Sequence, residues 1–318
     1  MTVVRRTVTL FASFALSLAL AAPVTAMASA SGHGGPDWAC SPKDTAAAAA
    51  AGGAQARGTA VDREGRVREK DTGQVVKDLP AGAKNRAPAN LTVTVPVWWH
   101  VITDDEAGAL SDADIRDQIR VMNNAFSGGA GGAATGFTFT LAGITRTDDP
   151  VWYALKSAGA EHEMKRALKR GDDSTLNVYS GLAGGYLGYA YLPEITDTAQ
   201  AYLDGIVIDW ETLPGVSETY GGGYADEGDT MVHETGHWLN LEHTFFGQCN
   251  KSGDFVDDTP AQKSATSGCP EGKNTCPAPG LDPIHNYMDY SDDSCIFEFT
   301  PGQAQRMRDA WAFWRAPA

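Results

Sequence analysis

His233-Glu234-Thr235-Gly236-His237-Trp238-Leu239-Asn240-Leu241-Glu242-His243 is the stretch around which the rest of the chain is organised. Helical residues advance by about 100° each, so His233 and His237 lie about 40° apart on one face and can share a metal. Glu234 projects beside them, placed to work on a metal-bound water rather than to ligate. His243 stands a further turn and a half on, at about 600° from His237, and would point elsewhere if the helix continued. The helix must therefore end between the two, with the chain turning back. Asn240 sits where that turn belongs, and Asn is the commonest non-glycine residue to accept a positive φ. Three imidazoles with one open position make a catalytic zinc set rather than a closed structural one. The bland alternative is three core histidines spaced by chance. It competes well against His-Glu-x-x-His alone and poorly once the third histidine is added.

The 318 residues are 42% hydrophobic and include eight tryptophans, enough to core one large domain or two smaller ones. A net charge of −15 argues against a nucleic-acid partner and against binding to an anionic membrane. Residues 1–30 read as a secretory signal: Arg5 and Arg6, an apolar run over 8–22, then small-residue sites around Ala26 and Ala30. The mature protein is expected to be secreted, with no membrane association. Residues 31–88 carry an alanine run, a Gly/Ala/Gln-rich stretch and a charged stretch poor in large apolar residues. Such a segment cannot bury a core of its own and reads as a pro-segment or linker, with Lys84 and Arg86 marking a processing point.

Residues 89–318 read as the catalytic domain. Leu91, Val93, Val95 and Val97 alternate with Thr92, Thr94 and Pro96 as a first strand. Ser111 caps a helix whose inner face is Ile115, Ile119, Met122 and Phe126. Phe137, Phe139 and Leu141 form a second strand. A short helix is expected over 161–170, and further strands over 176–179, 187–192 and 206–208. Strands alternating with helices argue for an α/β layer structure. The glycine-rich loop at 128–136 lacks a phosphate-binding lysine and is given no chemical role. One of the acids in 226–229 is expected to cap the zinc helix, starting near Thr230. Cys249, Cys269, Cys276 and Cys295 imply two disulfides with three possible pairings, leaving Cys40 over. Asp254, Asp257, Asp258 and Thr259 gather oxygens that suit Ca²⁺, solvated turn acids being the ordinary alternative. Thr300-Pro301-Gly302-Gln303 opens a last helix with Met307, Trp311 and Trp314 on its inner face.

Downstream, Asn286-Tyr287-Met288-Asp289-Tyr290 resembles the Met-turn of the metzincins. His243-Thr244-Phe245, Cys249, the run over 254–260, Cys295 and Phe299-Thr300 with Gln303 resemble one branch more closely, the pappalysin family and its ulilysin-like microbial members. The resemblance spans about 93–307. It implies a metzincin-like α/β domain split by a cleft. A twisted, mainly parallel sheet with an antiparallel, substrate-pairing edge strand would lie above, and an irregular C-terminal subdomain below. It implies zinc on His233, His237 and His243, Glu234 as general base, Met288 as a floor beneath the metal and Tyr290 as stabiliser of the tetrahedral intermediate. It places calcium in the segment of Asp254, Asp257, Asp258 and Thr259. Asn240 departs from the family, which mostly has glycine there.

The implied activity is a secreted zinc endopeptidase acting on protein or peptide substrates as a monomer. It would be made as a latent precursor in which the Cys40 thiolate fills the fourth zinc position. The competing reading is a catalytically silent zinc-binding module, such as an adhesin or host-targeting domain, which intact Glu234 and Tyr290 argue against. Glu298 is a candidate for the pocket receiving the residue after the cut bond, where it would favour a basic side chain.

Overall fold

Five strands form one sheet in the order β2-β1-β3-β5-β4. The computed structural model describes residues 70, 72–217, 219–250 and 253–317. The expected signal segment, Cys40 and most of the expected pro-segment therefore lie outside the described residues. In chain order the strands are β1 (Val93–Thr103), β2 (Phe137–Asp148), β3 (Leu176–Gly181), β4 (Gly188–Ala190) and β5 (Ile206–Asp209). All pairings are parallel except β4 with β5, so β4 is an antiparallel edge strand.

A pleated strand sends successive side chains to opposite faces, and here both faces are covered. Val95, Val97, Trp99 and Val101 of β1, Val178 of β3 and Ile206 and Ile208 of β5 join one core. That core is closed by Ile115, Ile119, Met122 and Phe126 of α1 (Asp112–Phe126) and by Met231, Val232 and Trp238 of α4 (Asp229–Trp238). Ile102, Tyr179, Tyr189 and Val207 face the other way, towards α2 (Pro150–Ala154) and α3 (Ala158–Leu168). The expected strands and helices are thus present with shifted ends, and α2 is an addition. Its signal was Asp149-Pro150, an N-cap followed by an N1 proline.

Ser111 and Asp114 form a reciprocal capping box on α1, and Thr300 and Gln303 form another on α5 (Pro301–Ala310). Beyond α4 the chain is irregular until α5 and is stapled by Cys249–Cys276 and Cys269–Cys295. The glycine-rich loop packs against that region: a Cβ at Gly132 would stand 2.5 Å from the Phe299 carbonyl oxygen.

Composition drew the domain border at residue 89, yet close packing begins earlier. Val76, Leu79, Ala83 and Ala87 are buried, and Leu79 and Ala83 cluster with Ala310 and Trp314 at the end of the chain. Asp309 accepts the amides of Asn85 and Ala87 at 2.8 and 2.9 Å. The Gln74 side chain exchanges hydrogen bonds with both the amide and the carbonyl of Leu192.

Candidate active site

α4 is buried along its whole length, so its ends as well as its faces need partners. The helix begins at Asp229, and its N-cap is Gly228 at φ 93°, with no side-chain cap from its own segment. Asp226 instead accepts the amide of Gly223. The capping role expected of a local acid falls to Asp293, which accepts the amides of Glu227 at 3.0 Å and Asp229 at 3.4 Å.

At the other end Asn240 has φ 72°, the left-handed turn expected of it. Leu241 N–H reaches back to Gly236 O at 2.9 Å and Asn240 N–H to His237 O at 2.8 Å, the two bonds of a Schellman closure. Two carbonyls in this turn are met by arginines from the chain's end. Arg315 Nε donates to Trp238 O at 3.0 Å, and Arg306 Nε to Asn240 O at 2.8 Å.

The turn returns His243 to the face carrying His233 and His237. The three Nε2 atoms lie 3.1, 3.1 and 3.3 Å apart. Nδ1 of His233 donates to Tyr287 O at 2.6 Å, and Nδ1 of His237 to Leu241 O at 2.7 Å. Those bonds fix the tautomer that leaves Nε2 bare towards the common point. A tetrahedral zinc about 2.0–2.1 Å from each nitrogen asks for ligand nitrogens about 3.3–3.4 Å apart, so the trio fits that metal with little adjustment. A second convergence, Cys269, His285 and Cys295, has both thiols consumed in a disulfide.

Met288 is fully buried directly under α4: a Cβ on Gly236 would stand 2.4 Å from its sulfur. The Tyr290 ring lies 5.6 Å from that of His233 and 4.8 Å from that of His243. Glu234 is 2% exposed. A Cβ added to Gly188 on the edge strand would come within 3.0 Å of its Cγ, so β4 passes close over the site.

Beside the histidines opens a pocket lined by Leu187, Asp229, Thr230, Glu234, Asp293 and Ile296 among others. Of its acids, Asp293 carried no expectation from sequence and Asp229 only that of a possible helix cap, although Asp229 stands one helical turn before His233. Burial first, then the Asp293 and Glu227 charges, push the Asp229 carboxyl well above its ordinary range. Asp289, also on the wall, is committed to Thr266 and Gln262. Glu298 is not among the lining residues and contacts the loop of Gly132 instead.

The acids at 254–259 do not act as one cluster. Asp258 accepts from Thr300 Oγ1 and from Gly302 N, at the start of α5. Asp257 is exposed. Asp254 is buried, and Thr259 Oγ1 stands 2.7 and 2.9 Å from its two carboxylate oxygens and 2.9 Å from Val256 O. The one hydroxyl proton satisfies one of those acceptors and Val256 N–H, 3.1 Å from Asp254 Oδ1, another, so three acceptor oxygens there face two donors. Burial pushes Asp254 up to about 7, against hydrogen bonds from Thr259 and Val256 that lower it.

The family profile described as Peptidase_M43, Pregnancy-associated plasma protein-A, matches residues 218–312. An extracellular metalloprotease of Pyricularia oryzae is 47% identical over 251 residues, covering 75% of this chain and 84% of the relative. The chain belongs to the pappalysin family. A second relative of this pappalysin, an extracellular metalloprotease of Arthroderma gypseum, is 40% identical over 258 residues, 78% of this chain and 83% of its own. Among solved structures, mature mirolysin of Tannerella forsythia with a cleaved peptide is 29% identical with a TM-score of 0.59. It covers 70% of this chain and 96% of mirolysin. A promirolysin mutant gives 0.61 at 29% identity over 73% of this chain and 85% of that one. This pappalysin is accordingly an extracellular metalloendopeptidase. Among the described residues, no helix is long and apolar enough to cross a membrane.

Proposed function

We propose that this pappalysin hydrolyses peptide bonds using zinc held by His233, His237 and His243, with Glu234 as the group that moves the proton. The carrying observation is the convergence of the three Nε2 atoms at 3.1–3.3 Å. When bound, zinc supplies a Lewis acid that polarises the scissile carbonyl and acidifies the attacking water. Glu234, buried beside the pocket, takes the proton from that water and returns it to the leaving amine. Tyr290, packed against the His233 and His243 rings, directs its hydroxyl to the oxyanion as the carbonyl becomes tetrahedral. Met288 fixes the floor through Gly236 and through Tyr287 O, which orients His233. Substrate adds to β4 as a further strand, main chain to main chain.

Asp229 and Asp293 make the pocket acidic, and we infer a preference for a basic side chain on the residue after the cut. These two acids take the role first sought in Glu298. Calcium belongs with Asp254, Thr259 and the Val256 carbonyl, where the excess of oxygen acceptors fits a hard cation. Asp257 and Asp258 are not needed for it. Latency through Cys40 stays part of the proposal, though that residue lies outside the described ones.

The test compares processed parent with Glu234→Gln on a mixed peptide library, with zinc assayed in both. Cleavage by the parent only, with one zinc in each, is expected. A parent that holds zinc and cleaves nothing would leave only the silent-module reading.

A further inference from the structure

The third zinc ligand depends on a single residue, Asn240, holding a left-handed turn, and Asn240 is itself gripped from three sides. Arg306 Nε donates to its carbonyl at 2.8 Å, and a terminal guanidinium nitrogen donates to its side-chain oxygen, also at 2.8 Å. The Asn240 amide nitrogen donates in turn to Glu194 at 3.3 Å. The guanidinium closes a fork over backbone and side chain of one residue, and it is 5% exposed. Its remaining nitrogen donates to Asp78 at 3.1 Å, and the Phe255 ring lies 5.4 Å from its carbon.

A glycine at position 240 would adopt this backbone conformation without strain and would offer no side chain to hold. An asparagine adopts it at a cost and gives Arg306 a second handle. We propose that Arg306, anchored by Asp78, is a positioning residue for His243: it fixes the Asn240 turn and through it the zinc-binding geometry. The proposal rests on the zinc reading given above. It follows that residues 72–87 belong to the working enzyme, because Asp78 lies N-terminal to both Lys84 and Arg86. Processing then falls before this segment rather than at those two basic residues.

The metal-binding test is made in the full-length chain carrying Glu234→Gln and processed in trans by the parent enzyme, so that no variant digests itself. Zinc affinity is read by chelator competition, the visible spectrum is read with cobalt in place of zinc, and amide exchange of Asn240 and Leu241 is followed in metal-free protein. Arg306→Met is expected to weaken zinc binding about 10- to 100-fold, as loss of groups that orient metal ligands does. It should also change the cobalt spectrum and speed exchange at Leu241. Arg306→Lys should recover only part, because one ammonium cannot span the carbonyl, the side-chain oxygen and Asp78 together. Asp78→Asn, at a half-exposed site that tolerates the change, should move all three readouts the same way by less. The processed chain should begin before residue 72 by N-terminal sequencing.

Unchanged zinc affinity and unchanged exchange, even with a lower Tm, would overturn the positioning role. So would a parent enzyme, with Glu234 intact, that is fully active and begins beyond Asp78. Failure of the zinc reading would look different: the parent would bind no zinc, while the exchange arm would still report on Arg306.

Discussion

Gly236→Ala sets two effects of known size against each other inside α4. Alanine is the better helix former, and replacing an interior glycine gains about 1 kcal/mol. The new Cβ, however, would stand 2.4 Å from Met288 Sδ and 3.2 Å from its Cε. Met288 has no exposed surface into which to retreat, and its carbonyl holds the amide of Thr244 at 3.1 Å. Nor can α4 withdraw, because its two flanking histidines are tied to Tyr287 O and Leu241 O. Overpacking of this kind costs about 1–3 kcal/mol. At 2.4 Å the overlap belongs in the upper part of that range, about 2–3 kcal/mol, so it wins by about 1–2 kcal/mol, which for a domain of this size lowers Tm by about 2–8 °C. Scanning calorimetry of zinc-loaded protein in the Glu234→Gln background measures it without self-cleavage. A Tm equal to or above the parent's would refute the claim that the Met-turn is packed hard against the helix.

Further outcomes are expected elsewhere. Because burial and the neighbouring Asp293 and Glu227 raise the Asp229 carboxyl well above its ordinary value, acidification neutralises the pocket early. Discrimination in kcat/KM between peptides with Arg and with Leu after the cut should shrink as pH falls, and a pH-independent ratio would remove the acids from specificity. In calcium-free, zinc-loaded protein the folded Asp254 titrates at about 7, above its unfolded value. The folded state then binds more protons than the unfolded one between about pH 4 and 7, so stability should fall as pH rises through that window. Saturating calcium should abolish this component of the slope, and coincident Tm curves with and without calcium would dismiss the cation. Lys165 is fully buried and rests on Glu161, which burial raises but Lys165 and Lys70 together pull down to about 2. Glu161→Gln leaves that ammonium with the Leu203 carbonyl at 2.7 Å and the Tyr191 ring but without its carboxylate, and should cost about 3–5 kcal/mol in a denaturant titration; a loss under about 1 kcal/mol would mean those remaining contacts suffice.

The elements that could be read from the residues alone were those whose stabilising partners lie nearby in the chain. Ser111 bonds Asp114 and Thr300 bonds Gln303, so the starts of α1 and α5 were visible as three-residue patterns. The zinc trio was visible because His233 and His237 are one helical turn apart and Asn240 can take φ 72°. What escaped was the completion of α4. Its N-terminal segment offers only Gly228 as a cap, and the amides there are taken by Asp293, more than sixty residues on. Its C-terminal carbonyls are met by Arg315 and Arg306, 77 and 66 residues away. Read as a local pattern, the end of the chain showed the apolar face of Met307, Trp311 and Trp314 and gave no sign of what Arg306 and Arg315 would hold. No spacing rule connects a guanidinium to a carbonyl across such a gap; only the buried state of the helix does, since a buried end must find donors somewhere. A helix that presents three ligating or catalytic side chains within five residues has little room for caps of its own. Its ends are therefore where remote acids and arginines should be sought in other chains that carry the same motif.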